Sequence, residues 1–272
     1  MSVIYRADGI ALHYSKDKNP SDEDFNLHVH RDYEVLCLLS GDVSYLVEGR
    51  EYAMTEGCIM IMRPAETHRL MVKGKGEYER YVLNFRGDIL REIGMSENML
   101  MAFSDRELGE KNRYFSNEFS GFEPIGYFKQ LAEECMVFDP RQVIMSNLGT
   151  LLCAVNTAFV KKDTAEVAES DPIGRELIDY VNNNLTRQIS LDSVSEYVHM
   201  SPSQVNRIFR KLTGTSVYDY ILSKRIVMVR QMMAEGEGAV SASQKCGFGD
   251  YSSFYRLYKK RTGKAPTDAR RK

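Results

Sequence analysis

The chain has 272 residues, of which 43% are hydrophobic, and a formal net charge of −2, which together predict about two globular domains with buried cores. Residues 1–9 lack the apolar segment of a signal peptide, and no run of about 18 apolar residues occurs, which argues against export and membrane insertion. The five cysteines are odd in number and form no CxxC pair, so structural thiols in a reducing cytoplasm are expected.

Residues 1 to about 85 have the pattern of antiparallel β-structure. Short apolar or alternating runs are separated by turns that contain glycine, as in small all-β domains. The predicted strands span residues 35–39, 43–47, 51–54, 58–62, 68–72 and 78–85. An antiparallel barrel or sandwich, joined by helices, is therefore the expected fold of the N-terminal part.

Four residues have the spacing H-x-H-x3-E-x6-G and resemble the first cupin motif: His28, His30, Glu34 and Gly41. The second cupin motif is matched in part, by Gly57, Pro64 and His68, with Glu66 where glycine is usual. In a strand, His28 and His30 point to the same side. Together with Glu34 and His68 they are candidate ligands for a divalent transition metal.

A polar ligand pocket is the favoured alternative to a metal centre. In the sensor domains that this region resembles, the same positions line a small-molecule pocket and generally hold no metal, so no cofactor is expected. A hydroxyl-rich ligand such as a sugar needs a few convergent polar groups within an apolar cavity. The candidates are His30, Glu34, Tyr45, Arg63, His68 and Arg80.

Two amphipathic helices are predicted over about 124–160, separated by Asp139-Pro140. Their adjacent apolar stripes offer more surface than a small barrel covers, which favours a homodimer. Residues 1–160 are thus the expected sensing and dimerisation domain. Residues 161–172, charged and rich in Ala, Thr and Ser, are the expected linker, and residues 173–272 form the second domain.

A repeat with an offset of 49 positions dominates the C-terminal part. Ser201 and Asp250 open its two copies as candidate N-caps, and Gly214 and Gly263 close them. Between these ends an arginine, an aromatic residue and a basic pair recur at matching places. Each copy predicts a capped, basic helix that follows a shorter one, which is a helix-turn-helix, and a long helix over 216–235 separates the two.

Charge is distributed unevenly between the two parts. From Asp171 onward there are 17 Lys and Arg against 10 Asp and Glu, a net of +7, whereas the preceding residues carry a net of −9. A basic part with duplicated capped helices suits contact with the phosphates of double-stranded DNA.

Residues 190–270 resemble the double helix-turn-helix domain of the AraC/XylS family of transcription regulators. The resemblance covers both units. It implies a transcription regulator that responds to a small-molecule effector, with RNA polymerase as a further expected partner. It also favours activation of a nearby carbohydrate-related operon. The residues that carry it are Ile189-Ser190-Leu191, Ser201-Pro202, 209–214, Arg225-Ile226, Gly247-Phe248, Ser253-Phe254, Lys259-Lys260, Gly263 and 266–270.

The start of the second helix of a helix-turn-helix enters the major groove. Arg207 and Arg256 are candidates to bind guanine, and Asn206 to bind adenine. The full set of predicted base-facing residues is Ser203, Gln204, Asn206, Arg207, Tyr251, Ser252, Ser253 and Arg256. The later basic residues Arg210, Lys211, Lys259 and Lys260 are predicted to contact phosphates.

The favoured hypothesis is a ligand-responsive DNA-binding regulator without enzymatic activity. Two alternatives stay open: a metal-dependent cupin enzyme with a DNA-binding appendage, and a constitutive DNA-binding protein whose barrel is purely structural.

Overall fold

The computed structural model describes residues 2–7, 9–25, 27–162 and 172–266. The chain divides into two compact units: residues 1–26 with 32–169, and residues 27–31 with 170–272. Residues 163–171, most of the predicted linker, lie outside the described residues. Its first residue, Lys161, is instead the last residue of a helix.

The first unit contains two antiparallel sheets. The described strands are β1 Ser2–Ala7, β2 Ile10–Lys18, β3 Tyr33–Ser40, β4 Val43–Val47, β5 Arg50–Ala53, β6 Ile59–Met62, β7 His68–Val72, β8 Glu77–Phe85 and β9 Arg113–Tyr114. The larger sheet has the strand order β1-β2-β8-β3-β6-β9 and the smaller the order β5-β4-β7. The six predicted strands correspond to β3–β8 within one or two residues at each end, whereas β1, β2 and β9 were not predicted.

Alternation along the strands of the larger sheet creates two cores. Leu36, Leu38 and Met60 lie between the two sheets. Val35 and Ile61 point to the opposite face, against the helices. Because both faces of this sheet are buried, residues 35–39 of β3 are continuously apolar rather than alternating.

Four α-helices are described in this unit: α1 Asp88–Glu92, α2 Met101–Ser104, α3 Pro124–Val137 and α4 Pro140–Lys161. The predicted helix break is confirmed as a cap, since the Asp139 carboxylate accepts a hydrogen bond from the Gln142 amide at 2.9 Å. Proline occupies the first turn of both long helices, where its missing N–H costs nothing.

The apolar stripe of α4 is used within its own unit. Its members Ile144, Leu148, Leu151, Leu152 and Val155 are all fully buried in the core against the larger sheet. Most of this stripe is therefore covered within the unit, whereas Met136, Val137, Phe138 and Val160, near the ends of α3 and α4, are exposed. The homodimer stays a prediction. Among the described residues, α4 is also the one helix long and apolar enough to cross a membrane, but half of that stretch is buried in the unit.

The second unit is helical, with α5 Pro172–Asn183, α6 Leu191–Tyr197, α7 Pro202–Thr213, α8 Val217–Ala234, α9 Ala239–Lys245 and α10 Tyr251–Thr262. Helices α6–α7 and α9–α10 form the two helix-turn-helix units. The predicted long helix is α8, which contributes Tyr220 to the core of the first helix-turn-helix and Ile226 to the core of the second. One continuous helix therefore belongs to both small cores and connects them rigidly.

Candidate nucleic-acid interface and effector site

The duplicated helices α7 and α10 begin and end as the repeat predicts. At their starts, Ser201 Oγ accepts from the Gln204 amide, and the Asp250 carboxylate accepts from the Ser253 amide at 2.7 Å. The same backbone bond lowers the pKa of Asp250. Both end at a left-handed glycine, Gly214 with φ 73° and Gly263 with φ 72°.

One side of each helix is packed and the other faces solvent. Val205 and Phe209 of α7, and Phe254 and Tyr258 of α10, are buried in the two small cores. The predicted DNA-contacting residues that are exposed are Ser203, Gln204, Arg207, Arg210, Lys211, Ser252, Arg256, Lys259 and Lys260, whereas Asn206, Tyr251 and Ser253 are half-buried. The exposed faces are therefore basic, with polar residues at the start of each helix.

Two of the predicted base-reading residues also have roles inside the unit. The Asn206 side-chain oxygen accepts a hydrogen bond from the Val217 amide at 3.3 Å, at the start of α8. The Gln204 side-chain oxygen accepts from the Ser201 amide at 3.1 Å and completes a capping box. Bidentate recognition of adenine by Asn206 would require that oxygen, so Arg207 is the stronger candidate for base contact.

A buried arginine on α8 joins the two helix-turn-helix units. Arg225 Nε donates to the Leu185 carbonyl at 2.7 Å, and Nη2 donates to the Arg187 carbonyl at 2.6 Å. A Cβ at Gly247, in the turn after α9, would lie 2.8 Å from Arg225 Nη2 and 2.8 Å from the Leu185 carbonyl oxygen. Glycine is therefore required there, and the three backbone segments meet around one guanidinium.

The space between the sheets of the first unit contains a polar cluster. Glu34 on β3 is buried, and its carboxylate accepts from Asn84 Nδ2 on β8 at 2.7 Å. The fully buried His68 on β7 places Nε2 at 3.8 Å from Glu34 Oε1, which is longer than a hydrogen bond. Its Nδ1 lies 3.0 Å from the Glu66 carbonyl oxygen. The structure thus brings together Glu34 and His68, as the sequence predicted.

Aromatic and charged groups continue this interior face. The hydroxyls of Tyr45 on β4 and Tyr78 on β8 are 2.7 Å apart. Burial raises the pKa of both phenols. The Arg80 guanidinium lies 4.0 Å from the centre of the Tyr78 ring and pairs with Asp17. Two predicted ligand residues, Tyr45 and Arg80, therefore share the interior face with Glu34.

Two interior residues were missed by the sequence reasoning. His13 and Ser15 on β2 pair with Val82 and Arg80 of β8, so they face the same interior. Both are buried, and neither His13 Nδ1 nor Ser15 Oγ has a hydrogen-bond partner among the described residues. Burial, followed by the charge of Arg6, lowers the pKa of His13. The alternation of apolar and polar residues along 10–18 was the signal that could have indicated this strand and its inward-facing residues.

Three predicted site residues lie outside the strands that line this interior. Arg63 follows β6, and its Nη1 donates to the carbonyls of Phe103 and Ser104 at 3.4 and 3.3 Å, so it does not join the interior cluster. His28 and His30 precede β3 in an irregular segment rather than in a strand, with ring centroids 6.0 Å apart. This segment, residues 27–31, groups with the second unit.

Glu66, the departure from the second cupin motif, has a structural partner. Its carboxylate forms two hydrogen bonds with the buried Arg106, at 2.6 and 2.7 Å. It also accepts from the Gly109 amide at 2.8 Å and from Asn112 Nδ2 at 3.0 Å. This cluster attaches the segment after α2 to the turn between β6 and β7.

Comparisons with known proteins agree with this two-unit organisation. Residues 14–104 match the AraC-like ligand binding domain, and residues 194–272 match a helix-turn-helix domain. Together the two matches span more than half of the chain. The probable transcriptional regulator LumQ of Photobacterium leiognathi is 29% identical over 44% of this chain and 48% of LumQ. The chain thus spans about half the length of that relative.

Longer matches include the HTH-type transcriptional activator RhaS of Yersinia pestis, 20% identical over 90% of this chain and 89% of RhaS. Among solved structures, Vibrio cholerae ToxT with a bound unsaturated fatty acid is 16% identical, with a TM-score of 0.41, and covers 97% of this chain and 95% of ToxT. This chain therefore has a ligand-binding domain of AraC type followed by a helix-turn-helix domain. The chain belongs to the AraC family of transcription regulators.

Proposed function

We propose that this chain is an effector-responsive activator of transcription that binds a specific duplex DNA sequence in the cytoplasm. The observation that carries the proposal is the repeated pair of capped helices, α7 and α10, each with a basic exposed face. Relatives named as transcriptional activators support it. A homodimer and contact with RNA polymerase complete the proposal, and the promoter served is carbohydrate-related.

The interior of the first unit is the proposed effector site. Buried hydrogen-bonding groups on β2, β3, β4, β7 and β8 suit a small hydroxyl-rich molecule, since apolar walls with few convergent polar groups favour such ligands. The residues proposed to contact it are His13, Ser15, Glu34, Tyr45, His68 and Arg80. We propose binding rather than catalysis here, because Glu34 is already engaged by Asn84 and the cluster presents no nucleophile paired with a base.

DNA contacts can be divided into base reading and phosphate binding by two substitutions. We expect Arg207→Ala to cost about 1–3 kcal/mol on the selected operator and little on a scrambled duplex. Lys259→Ala should weaken both duplexes alike and lower the slope of log affinity against log salt by roughly one. Fluorescence anisotropy with the full chain at several salt concentrations measures both effects.

The operator for this experiment is obtained by selection from a random-sequence duplex library. Lys129→Ala, at an exposed position of α3 in the first unit, is the charge-matched control and should leave both affinities unchanged. Equal losses for Arg207→Ala on operator and scrambled DNA would show that Arg207 contacts phosphates rather than a base.

The effector site is tested by ligand-induced stabilisation of the full chain. A ligand of the native state raises the free energy of unfolding by about 2.7 kcal/mol at a concentration of 100 times its Kd. We expect at least one member of a monosaccharide panel to raise the melting temperature, and Glu34→Gln or His68→Gln to abolish that rise while basal DNA affinity is kept.

Glu79→Gln is the matched control, because Glu79 lies on the same strand as Arg80 but binds the Tyr14 hydroxyl at 2.6 Å on the opposite face. Parallel loss of the thermal shift and of DNA binding in Glu34→Gln would assign Glu34 a folding role instead.

A further inference from the structure

We propose that α10 recognises the 5-methyl group of thymine through Tyr255, with Tyr251 supporting that ring. This inference rests on the proposed DNA-binding function and names the base chemistry read by the second helix-turn-helix. It assigns a specificity-determining role to Tyr255, which the repeat alone did not single out.

The first observation is a hollow on the solvent-facing side of α10. It has a volume of about 380 Å³ and is lined by Tyr251, Ser252, Tyr255 and Arg256. Tyr251 packs on the buried Phe254, with ring centroids 5.7 Å apart, and its ring centroid is 6.3 Å from that of Tyr255. Tyr255 is half-buried and is not part of the small core. Its ring therefore contributes a wall to a hollow that is open to solvent.

The second observation is the difference between the two repeated helices. The 49-residue offset places Tyr251 opposite Pro202 and Tyr255 opposite Asn206. Asn206 is tied to the Val217 amide at the start of α8. The first recognition helix thus has no aromatic pair on this face, and the two helices offer different chemistry to a base edge.

Thymine is the base that this chemistry suits. Its C5-methyl group projects into the major groove, where it is recognised by apolar contact. A hollow walled by two rings accepts the methyl group, while Ser252 and Arg256 on its rim can hydrogen-bond the neighbouring base edge. Lys259 and Lys260 follow on the same exposed side and match the charge of the phosphates.

Deoxyuridine substitution tests the proposal, because it removes the methyl group and keeps base pairing. In the operator selected with the full chain, each thymine is replaced in turn. We expect at least one replacement in the half-site bound by α10 to lower affinity about fourfold, the value for one buried methyl. Tyr255→Ala should bind the thymine and deoxyuridine duplexes equally, whereas Tyr255→Phe should keep the fourfold preference.

Tyr218→Ala removes a tyrosine that is 62% exposed on α8 and should keep the wild-type preference. If no deoxyuridine replacement changes affinity, or if Tyr255→Phe loses as much affinity as Tyr255→Ala, the proposal is wrong, and in the second case the Tyr255 hydroxyl acts on a phosphate. If the chain selects no duplex sequence at all, the proposed function is wrong and this inference is wrong with it. If the chain selects an operator but deoxyuridine replacement has no effect, only this inference is wrong.

Discussion

Glu66→Ala is expected to lower the free energy of unfolding of the first unit by about 3–5 kcal/mol, the usual result of removing one partner from a buried ion pair. The side chains of Glu66 and Arg106 are 0% and 1% exposed, so the substitution leaves a guanidinium buried without its carboxylate. The Gly109 amide and Asn112 lose an acceptor as well. A loss of this size is a large fraction of the 5–15 kcal/mol that stabilises a typical domain.

The same carboxylate makes the first unit sensitive to acid. Burial alone would raise the pKa of Glu66, but the Arg106 guanidinium and the surrounding hydrogen bonds outweigh it and hold the pKa at about 2, against 4.5 for the free side chain. Because the folded pKa is the lower one, the stabilisation is fully present above pH 4.5. It is lost as the pH falls from 4.5 towards 2.

Hydrogen exchange of peptides from β3 and β6, followed as a function of urea and pH, measures these effects. It reports the first unit separately, which intrinsic tryptophan fluorescence cannot do, since the chain contains no tryptophan. Glu92→Ala, which removes a surface partner of Arg141, is the control and should cost under about 1 kcal/mol. A Glu66→Ala variant that is as stable as this control would refute the role of the buried pair.

Local signals in the sequence predicted the second unit well. Ser201, Asp250, Gly214 and Gly263 act within a few residues of their own position, so their chemistry determines where α7 and α10 begin and end whatever the surroundings. The strand β7 was predicted residue for residue, because it lies between clear turns.

Features that depend on distant partners could not be predicted in this way. Glu66 and Arg106 are 40 positions apart, and no spacing rule connects them. The side chain of Asn206 is recruited by the start of α8, 11 residues on, only because of how α7 packs. In β2, Ile10, Leu12 and Tyr14 alternate with His13 and Ser15, as in a strand with one polar face. That the polar face is buried as well depends on the second sheet, which the local pattern does not indicate.

Arg225→Ala is expected to uncouple the two helix-turn-helix units. Arg225 is buried, and its two hydrogen bonds satisfy the Leu185 and Arg187 carbonyls. Hydrogen bonds to a charged group are each worth about 1.5–3 kcal/mol, so the loss of both should cost about 3–5 kcal/mol of stability in the second unit. Arg225→Lys should recover only part of this, since an ammonium cannot reproduce the planar, forked geometry of a guanidinium.

The consequence for DNA binding follows from geometry. Two linked recognition helices gain affinity because the second one binds at a high effective concentration, provided that their separation matches the DNA. In the wild-type chain we expect α8 to hold α7 and α10 at the separation of two major-groove segments about one turn, roughly 34 Å, apart. Loosening the contact at Arg225 and Gly247 lets that separation vary, so the penalty for a wrong spacing should fall together with the affinity for the right one.

Anisotropy with the selected operator, and with the same duplex lengthened by about half a helical turn between the half-sites, measures both quantities. We expect the wild-type chain to discriminate strongly between the two duplexes and Arg225→Ala to bind them with similar, weaker affinities. Arg230→Ala, on the same helix and with the same charge removed, should keep the discrimination. If Arg225→Ala weakens binding but keeps the full spacing preference, then Arg225 stabilises the fold without setting the distance between the recognition helices.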